Sequence, residues 1–179
     1  MTRIREATAE DVPDLARVYV DTWRSIYAGV LPEAALVGMS YARQDRYWSR
    51  LVGSGRGIVV AEAENRVVGF ASAGRTRDTG LPFAGEVYTL YLLDDYQGRG
   101  LGRALLTASF RDLQDRGFAS ALIWSLALNP SRFFYETLGG RCVAERMTAL
   151  WGANLREIGY GWPDLPSLGA TRLKPRRAV

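Results

Sequence analysis

A mixed α/β (α+β layered) fold, with a central sheet of about seven strands flanked by helices, is what this sequence predicts. Three observations carry that reading. Apolar residues recur at helical spacing through roughly residues 12–51. β-rich runs take over after Gly53-Ser54-Gly55. Strands and helices then alternate in an order that fits neither an all-parallel sheet nor separate α and β domains.

The elements follow in turn. Arg3–Glu6 reads as a short first strand, and Thr8 with Asp11 as a helix N-terminal cap with Asp in place of the usual Glu. A helix is expected next, with Val12, Leu15, Val18, Tyr19, Trp23 and Ile26 on one side. Gly29 and Pro32 break it, and Glu33–Met39 and Tyr41–Leu51 form two further helical pieces. Ile58–Ala61 and Val67–Ala71 are strands of a hairpin turning at Glu64-Asn65. Arg75–Gly85 is a loop, and Glu86–Leu93 a strand rich in β-branched and aromatic residues. A helix over Gly100–Arg116 stops at Gly117. Ala119–Leu126 is a buried strand, and Ser131–Leu138 a short helix ended by Gly139-Gly140. Arg141–Leu150 and Leu155–Tyr160 close the fold as a hairpin about Gly152-Ala153-Asn154.

The 179 residues suit one domain over 1–165, followed by a basic C-terminal tail over 166–179 that carries Arg172, Lys174, Arg176 and Arg177. The net charge of +4 partly reflects that tail. The tail reads as a solvated terminus. Nucleic-acid binding is disfavoured, because no aromatics interleave with its basic residues. The single cysteine, Cys142, cannot form an internal disulfide, so a reducing, cytoplasmic setting is expected. No signal peptide is visible and no apolar run is long enough to span a bilayer. The chain has no histidine, which excludes a Ser-His-Asp triad, a Cys-His pair and histidine-ligated metals. No metal is expected.

The richest motif is Gln97-Gly98-Arg99-Gly100-Leu101-Gly102-Arg103, directly after a strand and opening a helix. Each glycine there costs about 0.5–1 kcal/mol relative to alanine. A ligand approaching the backbone closely would explain that loss. Free amides and the positive dipole end at a helix N-terminus suit a pyrophosphate, and Arg99 and Arg103 can add charge. The Walker loop is excluded, because Gly-Lys-Ser/Thr is absent. The dinucleotide fingerprint also fails, since the strand ending at Leu126 lacks the required acid.

Gln97-x-x-Gly100-x-Gly102 resembles the Gln/Arg-x-x-Gly-x-Gly/Ala signature of the GNAT N-acetyltransferase superfamily. Asn129 through Gly140, containing Phe134-Tyr135-Glu136-Thr137-Leu138-Gly139, resembles that family's second landmark, and Trp23-Arg24-x-x-Tyr27-x-Gly29-x-Leu31-Pro32 an N-terminal motif of many bacterial members. The resemblance covers about residues 1–162. It implies a sheet splayed between its fourth and fifth strands, with acetyl-CoA as cosubstrate in the opening. By the same resemblance, pantetheine pairs with the backbone of Leu90, Tyr91 and Leu92. The pyrophosphate rests on the amides of Gln97, Gly98, Arg99, Gly100, Leu101 and Gly102. Asn129 lies beside the coenzyme arm, and the Leu92 amide polarises the acetyl carbonyl.

The implied reaction is direct attack by a primary amine of a small molecule or peptide in a ternary complex, so Cys142 is not needed as a nucleophile. Without histidine, a carboxylate acting directly or through water is the expected proton acceptor. Glu86, eleven residues before Gln97, is the candidate, with a solvated strand-end carboxylate or a salt-bridge partner as the competing reading. Tyr135 matches the family's general acid, with an aromatic core position as the competing reading. Trp23 and Tyr27 are candidates for the acceptor-amine site, or plain packing on an amphipathic helix. A non-catalytic acetyl-CoA-binding module is the alternative function. Expected partners are acetyl-CoA and an amine, with a homodimer compatible and no membrane.

Overall fold

The computed structural model describes residues 2–55, 57–150 and 152–165, so the basic tail lies outside the described residues. The chain runs β1 (Thr2–Glu6), α1 (Val12–Ile26), α2 (Glu33–Val37), α3 (Tyr41–Gly53), β2 (Gly57–Ala63), β3 (Arg66–Arg75) and β4 (Gly85–Leu92). It continues through α4 (Leu101–Asp115), β5 (Ala121–Leu126), α5 (Arg132–Thr137), β6 (Arg141–Leu150) and β7 (Ala153–Trp162). One seven-stranded sheet has the order β1-β2-β3-β4-β5-β7-β6. All neighbours pair antiparallel except β4 and β5, which run parallel.

Helices cover both faces. On one, Leu15 and Val18 of α1 and Trp48 of α3 pack against Ile58, Val60 and Phe70. On the other, Leu105 and Ala108 of α4 meet Val59, Ala61 and Ala71, while Leu106, Phe110 and Leu113 meet Val87, Ile123 and Tyr160. The burial of α1 is wider than its expected stripe, because Ala16, Val20 and Thr22 are buried too. The cause is position: Val18 sits in the cluster under α3, whereas Val20 and Trp23 pack with Leu31, Leu36 and Leu126.

Local chemistry explains the boundaries. Asp11 accepts from the Thr8 amide (2.7 Å), so the expected cap forms, at a single 3₁₀ turn before α1. Asp11 also receives both Nη atoms of Arg5, at 2.7 and 2.8 Å. Burial alone would raise the Asp11 carboxyl. The Arg5 and Thr8 contacts outweigh it and hold the group below its ordinary value. Glu64 and Asn65 both have positive φ, 52° and 62°, which gives the hairpin a turn whose twist matches the strands. The β2–β3 hairpin extends beyond the expected runs on both sides, since flanking residues such as Glu62 and Arg75 continue the ladder at little cost.

Candidate active site

The site begins where two strands part. β4 pairs with β5 over only three positions, Gly85 to Val87 against Ala121 to Ile123. Beyond Val87 the edge of β4 that faces β5 is open. A bulge helps: Ser72 opposes Thr89 and Ala73 opposes Val87, so Tyr88 is the extra residue on β4. The Tyr88 hydroxyl donates to Arg75 O (2.5 Å). An added Cβ on Gly74 would lie 2.6 Å from that hydroxyl, so a larger residue there would have to displace the Tyr88 side chain.

Which backbone groups of β4 are free follows from the register. Leu93 N donates to Val68 O (3.0 Å), and Gly69 opposes Leu92. Successive residues of a strand turn their backbone groups to opposite sides. Leu90 and Leu92 therefore direct theirs toward the splayed side, while Tyr91 bonds β3. Gln97 Nε2 reaches Leu92 O (3.3 Å) and Asp94 Oδ1 (2.9 Å), which fixes this edge to the loop that follows.

The glycine motif has a specific geometry. Gly98 and Gly100 adopt left-handed backbone, φ 69° and 80°, and nothing lies within 4 Å of an added Cβ at either, so conformation selects glycine there. Gly102 is different: its φ is not positive, and an added Cβ would lie 3.3 Å from the Phe134 ring, a tight contact that the ring would have to ease. The expected helix start moves by one residue, because left-handed Gly100 cannot be helical and serves as the cap. The helical ladder opens with Ala104 N donating to Gly100 O (3.0 Å), leaving the preceding amides outside it.

These features surround one cavity of about 450 Å³. β4 contributes Leu90, Tyr91 and Leu92. The glycine loop contributes Gln97, Gly98, Gly100, Gly102 and Arg103. The landmark segment contributes Asn129, Pro130, Ser131, Phe134, Tyr135, Thr137 and Leu138, and α1 adds Thr22 and Ile26. Of the residues expected at the coenzyme, only Arg99 and Leu101 are not in the wall. Leu101 is buried in the core, and Arg99 lies over the Tyr96 ring at 5.4 Å. Thr22, Ile26 and Phe134 were not expected. Ile26 stands one turn after Thr22, which helical spacing on α1 could have revealed.

Tyr135 lies in the wall at 6% exposure. Burial, with Tyr27 and Tyr160 nearby, pushes its hydroxyl well above the ordinary tyrosine value. The group therefore holds its proton at neutral pH.

Glu86 lies at the closed end of the V, opposite Leu122, and is only 2% exposed. Arg77 holds it with its backbone amide (2.8 Å), Nε (3.1 Å) and Nη2 (2.5 Å). The side chain is not part of the cavity wall, so it stands back from the opening. The parallel pairing that encloses it depends on residues more than thirty positions away.

Trp23 and Tyr27 are likewise buried, with ring centroids 4.6 Å apart, and neither belongs to the wall. Both reach it by hydrogen bonds. Trp23 Nε1 donates to the Tyr91 hydroxyl (3.0 Å), and Asn129 Nδ2 donates to the Tyr27 hydroxyl (3.3 Å). Asn129 Oδ1 meanwhile accepts from Ser131 N (2.8 Å), so both ends of its amide are used. Burial, outweighing the Asn129 contact, pushes Tyr27 up to about 12. Arg24, within the same motif, closes the end of α2 by donating to Leu36 O (3.1 Å) and Met39 O (3.0 Å).

Among the described residues, no helix is long and apolar enough to cross a membrane, and no cluster of three or more metal-ligating side chains occurs. The sequence pattern of the acetyltransferase (GNAT) family matches residues 17–139. An uncharacterized N-acetyltransferase, YuaI, from Bacillus subtilis (strain 168) is 40% identical over 170 residues, covering 94% of this chain and 96% of its own. The fold resembles a crystal structure of ribosomal-protein-alanine N-acetyltransferase from Brucella melitensis, with TM-score 0.70, 21% identity, and 89% and 98% of the two chains covered. It also resembles yncA, a putative acetyltransferase from Salmonella typhimurium solved with acetyl-CoA, with TM-score 0.70, 18% identity and 99% of each chain covered. A splayed sheet with a free β4 edge above a left-handed glycine cradle, matched in sequence across most of its length, places this chain in the acetyltransferase (GNAT) family, as an acetyl-CoA-dependent N-acetyltransferase.

Proposed function

We propose that the protein transfers an acetyl group from acetyl-CoA to a primary amine of a small molecule or peptide by direct attack within a ternary complex. One observation carries this reading: the glycine cradle, the free β4 edge and the protonated Tyr135 hydroxyl share a single cavity.

The residues divide the work. The backbone of Leu90 and Leu92 pairs with the coenzyme arm as a further strand would, and Asn129 borders it. The amides from Gln97 to Gly102 receive the pyrophosphate, with Arg103 from the wall and Arg99 outside it adding charge. The Leu92 amide donates to the acetyl oxygen as negative charge builds there. The amine nitrogen forms the C–N bond, the C–S bond breaks with its electron pair going to sulfur, and Tyr135 gives its proton to that sulfur. The proton leaving the amine passes through water to Glu86, since that carboxylate is outside the wall. Trp23 and Tyr27 brace the acceptor side through Tyr91 and Asn129. A cytoplasmic location and a homodimer belong to the same proposal.

Thermal melts test the coenzyme half. Acetyl-CoA at about 100 times its Kd adds about 2.7 kcal/mol. For a chain of this size that is about 5–10 °C in Tm. No shift at millimolar acetyl-CoA, with calorimetry also silent, would overturn the reading. A screen of amines for thiol release from acetyl-CoA tests turnover and identifies the acceptor.

A further inference from the structure

Four buried side-chain polar atoms among the described residues lack a hydrogen-bond partner: Thr22 Oγ1, Trp48 Nε1, Trp124 Nε1 and Ser125 Oγ. Only Thr22 belongs to a residue of the cavity wall. It is 3% exposed and comes from the C-terminal half of α1, four residues before its end. A helical threonine ordinarily returns its hydroxyl to a carbonyl one turn earlier. Here that bond is not made. Folding alone gives no reason for a hydroxyl at this place, because valine would fill the same volume without burying an unpaired oxygen.

The wall supplies a reason. Thr22 and Ile26 are the contribution of α1 to the cavity, which they share with Leu92 and Tyr135; the phosphate cradle is built by another element, α4. The coenzyme arm has its amide partners in the backbone of Leu90 and Leu92. The acetyl oxygen has one proposed donor, the Leu92 amide, and a hydroxyl can be a second.

We infer that the Thr22 hydroxyl is a second hydrogen-bond donor to the acetyl oxygen, turning about its χ1 bond to meet the thioester when acetyl-CoA enters. The inference rests on the acetyl-transfer reading above. Thr22 keeps its own proton throughout. It donates as the C–N bond forms and charge grows on oxygen, and the contact relaxes as the C–S bond breaks.

The carbonyl stretch of acetyl-CoA labelled with ¹³C at the acetyl carbonyl reports this contact directly and needs no acceptor amine. Bound to the wild-type protein, the band lies below its position in free solution. In Thr22→Val it moves back toward the free position, whereas Thr22→Ser keeps it. With an amine from the screen, Thr22→Val lowers kcat by at least about tenfold, in line with loss of one such donor, and Thr22→Ser restores most of it. CoA itself, which lacks the acetyl group, binds all three proteins equally. Thr22→Val melts no lower than wild type, because an unpaired buried oxygen has gone. Thr22→Ala provides the same readings if the valine variant does not fold.

An unchanged band and unchanged kcat in Thr22→Val, with acetyl-CoA still bound, overturn the inference alone. So does Thr22→Ser behaving like Thr22→Val, which would assign the effect to the lost methyl. Wild-type protein that binds no acetyl-CoA overturns the acetyl-transfer reading and the inference with it.

Discussion

The two ends of β4 make opposite use of the same strand. From Gly85 to Val87 it is bonded on both sides, to β3 and to β5, and its ionisable side chain, Glu86, is enclosed and held by Arg77. From Leu90 to Leu92 it keeps β3 but has no β5 partner, and its free backbone lines a cavity. Three paired residues set the angle of the V, and everything beyond them is available for binding. At the closed end side chains are fixed by side chains. At the open end the protein offers backbone, which is directional and cannot swing away.

The comparison can be broken most completely at the cradle. Gly100→Glu places a side chain on left-handed backbone and a negative charge where phosphate is expected, so acetyl-CoA binding should vanish in calorimetry while circular dichroism stays native. Retained binding would mean that the open end does not depend on these amides.

A smaller effect is expected at Tyr135. Tyr135→Phe keeps the ring, which packs 5.6 Å from Tyr160 and 5.3 Å from Phe134. It should leave Tm and acetyl-CoA affinity close to wild type and lower kcat by at least about tenfold. Because its pKa is raised, Tyr135 should produce no falling basic limb in the rate profile below the ordinary tyrosine value of 10. The linked stability has the same sign. Tyr135 and Tyr27 favour the folded state fully below pH 10 and lose that contribution as pH rises beyond it.

The closed end is tested by Glu86→Gln. The amide keeps shape but loses the charge facing Arg77, at a cost of about 1–3 kcal/mol. If Glu86 also receives the amine's proton, turnover falls and the loss is greatest below the amine's pKa, with coenzyme affinity unchanged. A lowered Tm with a pH–rate profile identical to wild type would make Glu86 an anchor for Arg77 alone.

The mildest test lies far from the V. Native Asp11 and Asp14 sit below their ordinary 3.8, so they stabilise the fold above that value, and the contribution disappears as pH falls through it. Asp11→Asn should cost about 1.5 kcal/mol at neutral pH. That corresponds to about 3–6 °C in Tm, with a flatter acid limb in urea titrations and activity per folded molecule intact.

How much of this was legible in the sequence depended on distance along the chain. The Glu64-Asn65 turn, the Thr8–Asp11 cap and the strand-loop-helix at Gln97 are local, and their residues announce them. The cavity wall was mostly legible because its motif is contiguous. Glu86 was identified, but its enclosure was not, since its parallel neighbour is Leu122. The orphan hydroxyl of Thr22 was invisible, because periodicity says which face a residue occupies and nothing about whether its oxygen finds a partner. The hydrogen bonds from Trp23 to Tyr91 and from Asn129 to Tyr27 span 68 and 102 positions, beyond what spacing can show.

The contact between Gly102 and Phe134 has a consequence for length. The first turn of α4 is the proposed grip on one end of the coenzyme, and α5 carries Tyr135 next to Phe134. A Cβ at 102 would lie 3.3 Å from the Phe134 ring, so the start of α4 and α5 approach closely at this aromatic ring. On the proposed reading, the site would work as a ruler from phosphate to sulfur, and a thioester on a shorter or longer arm would be held at one mark and miss the other.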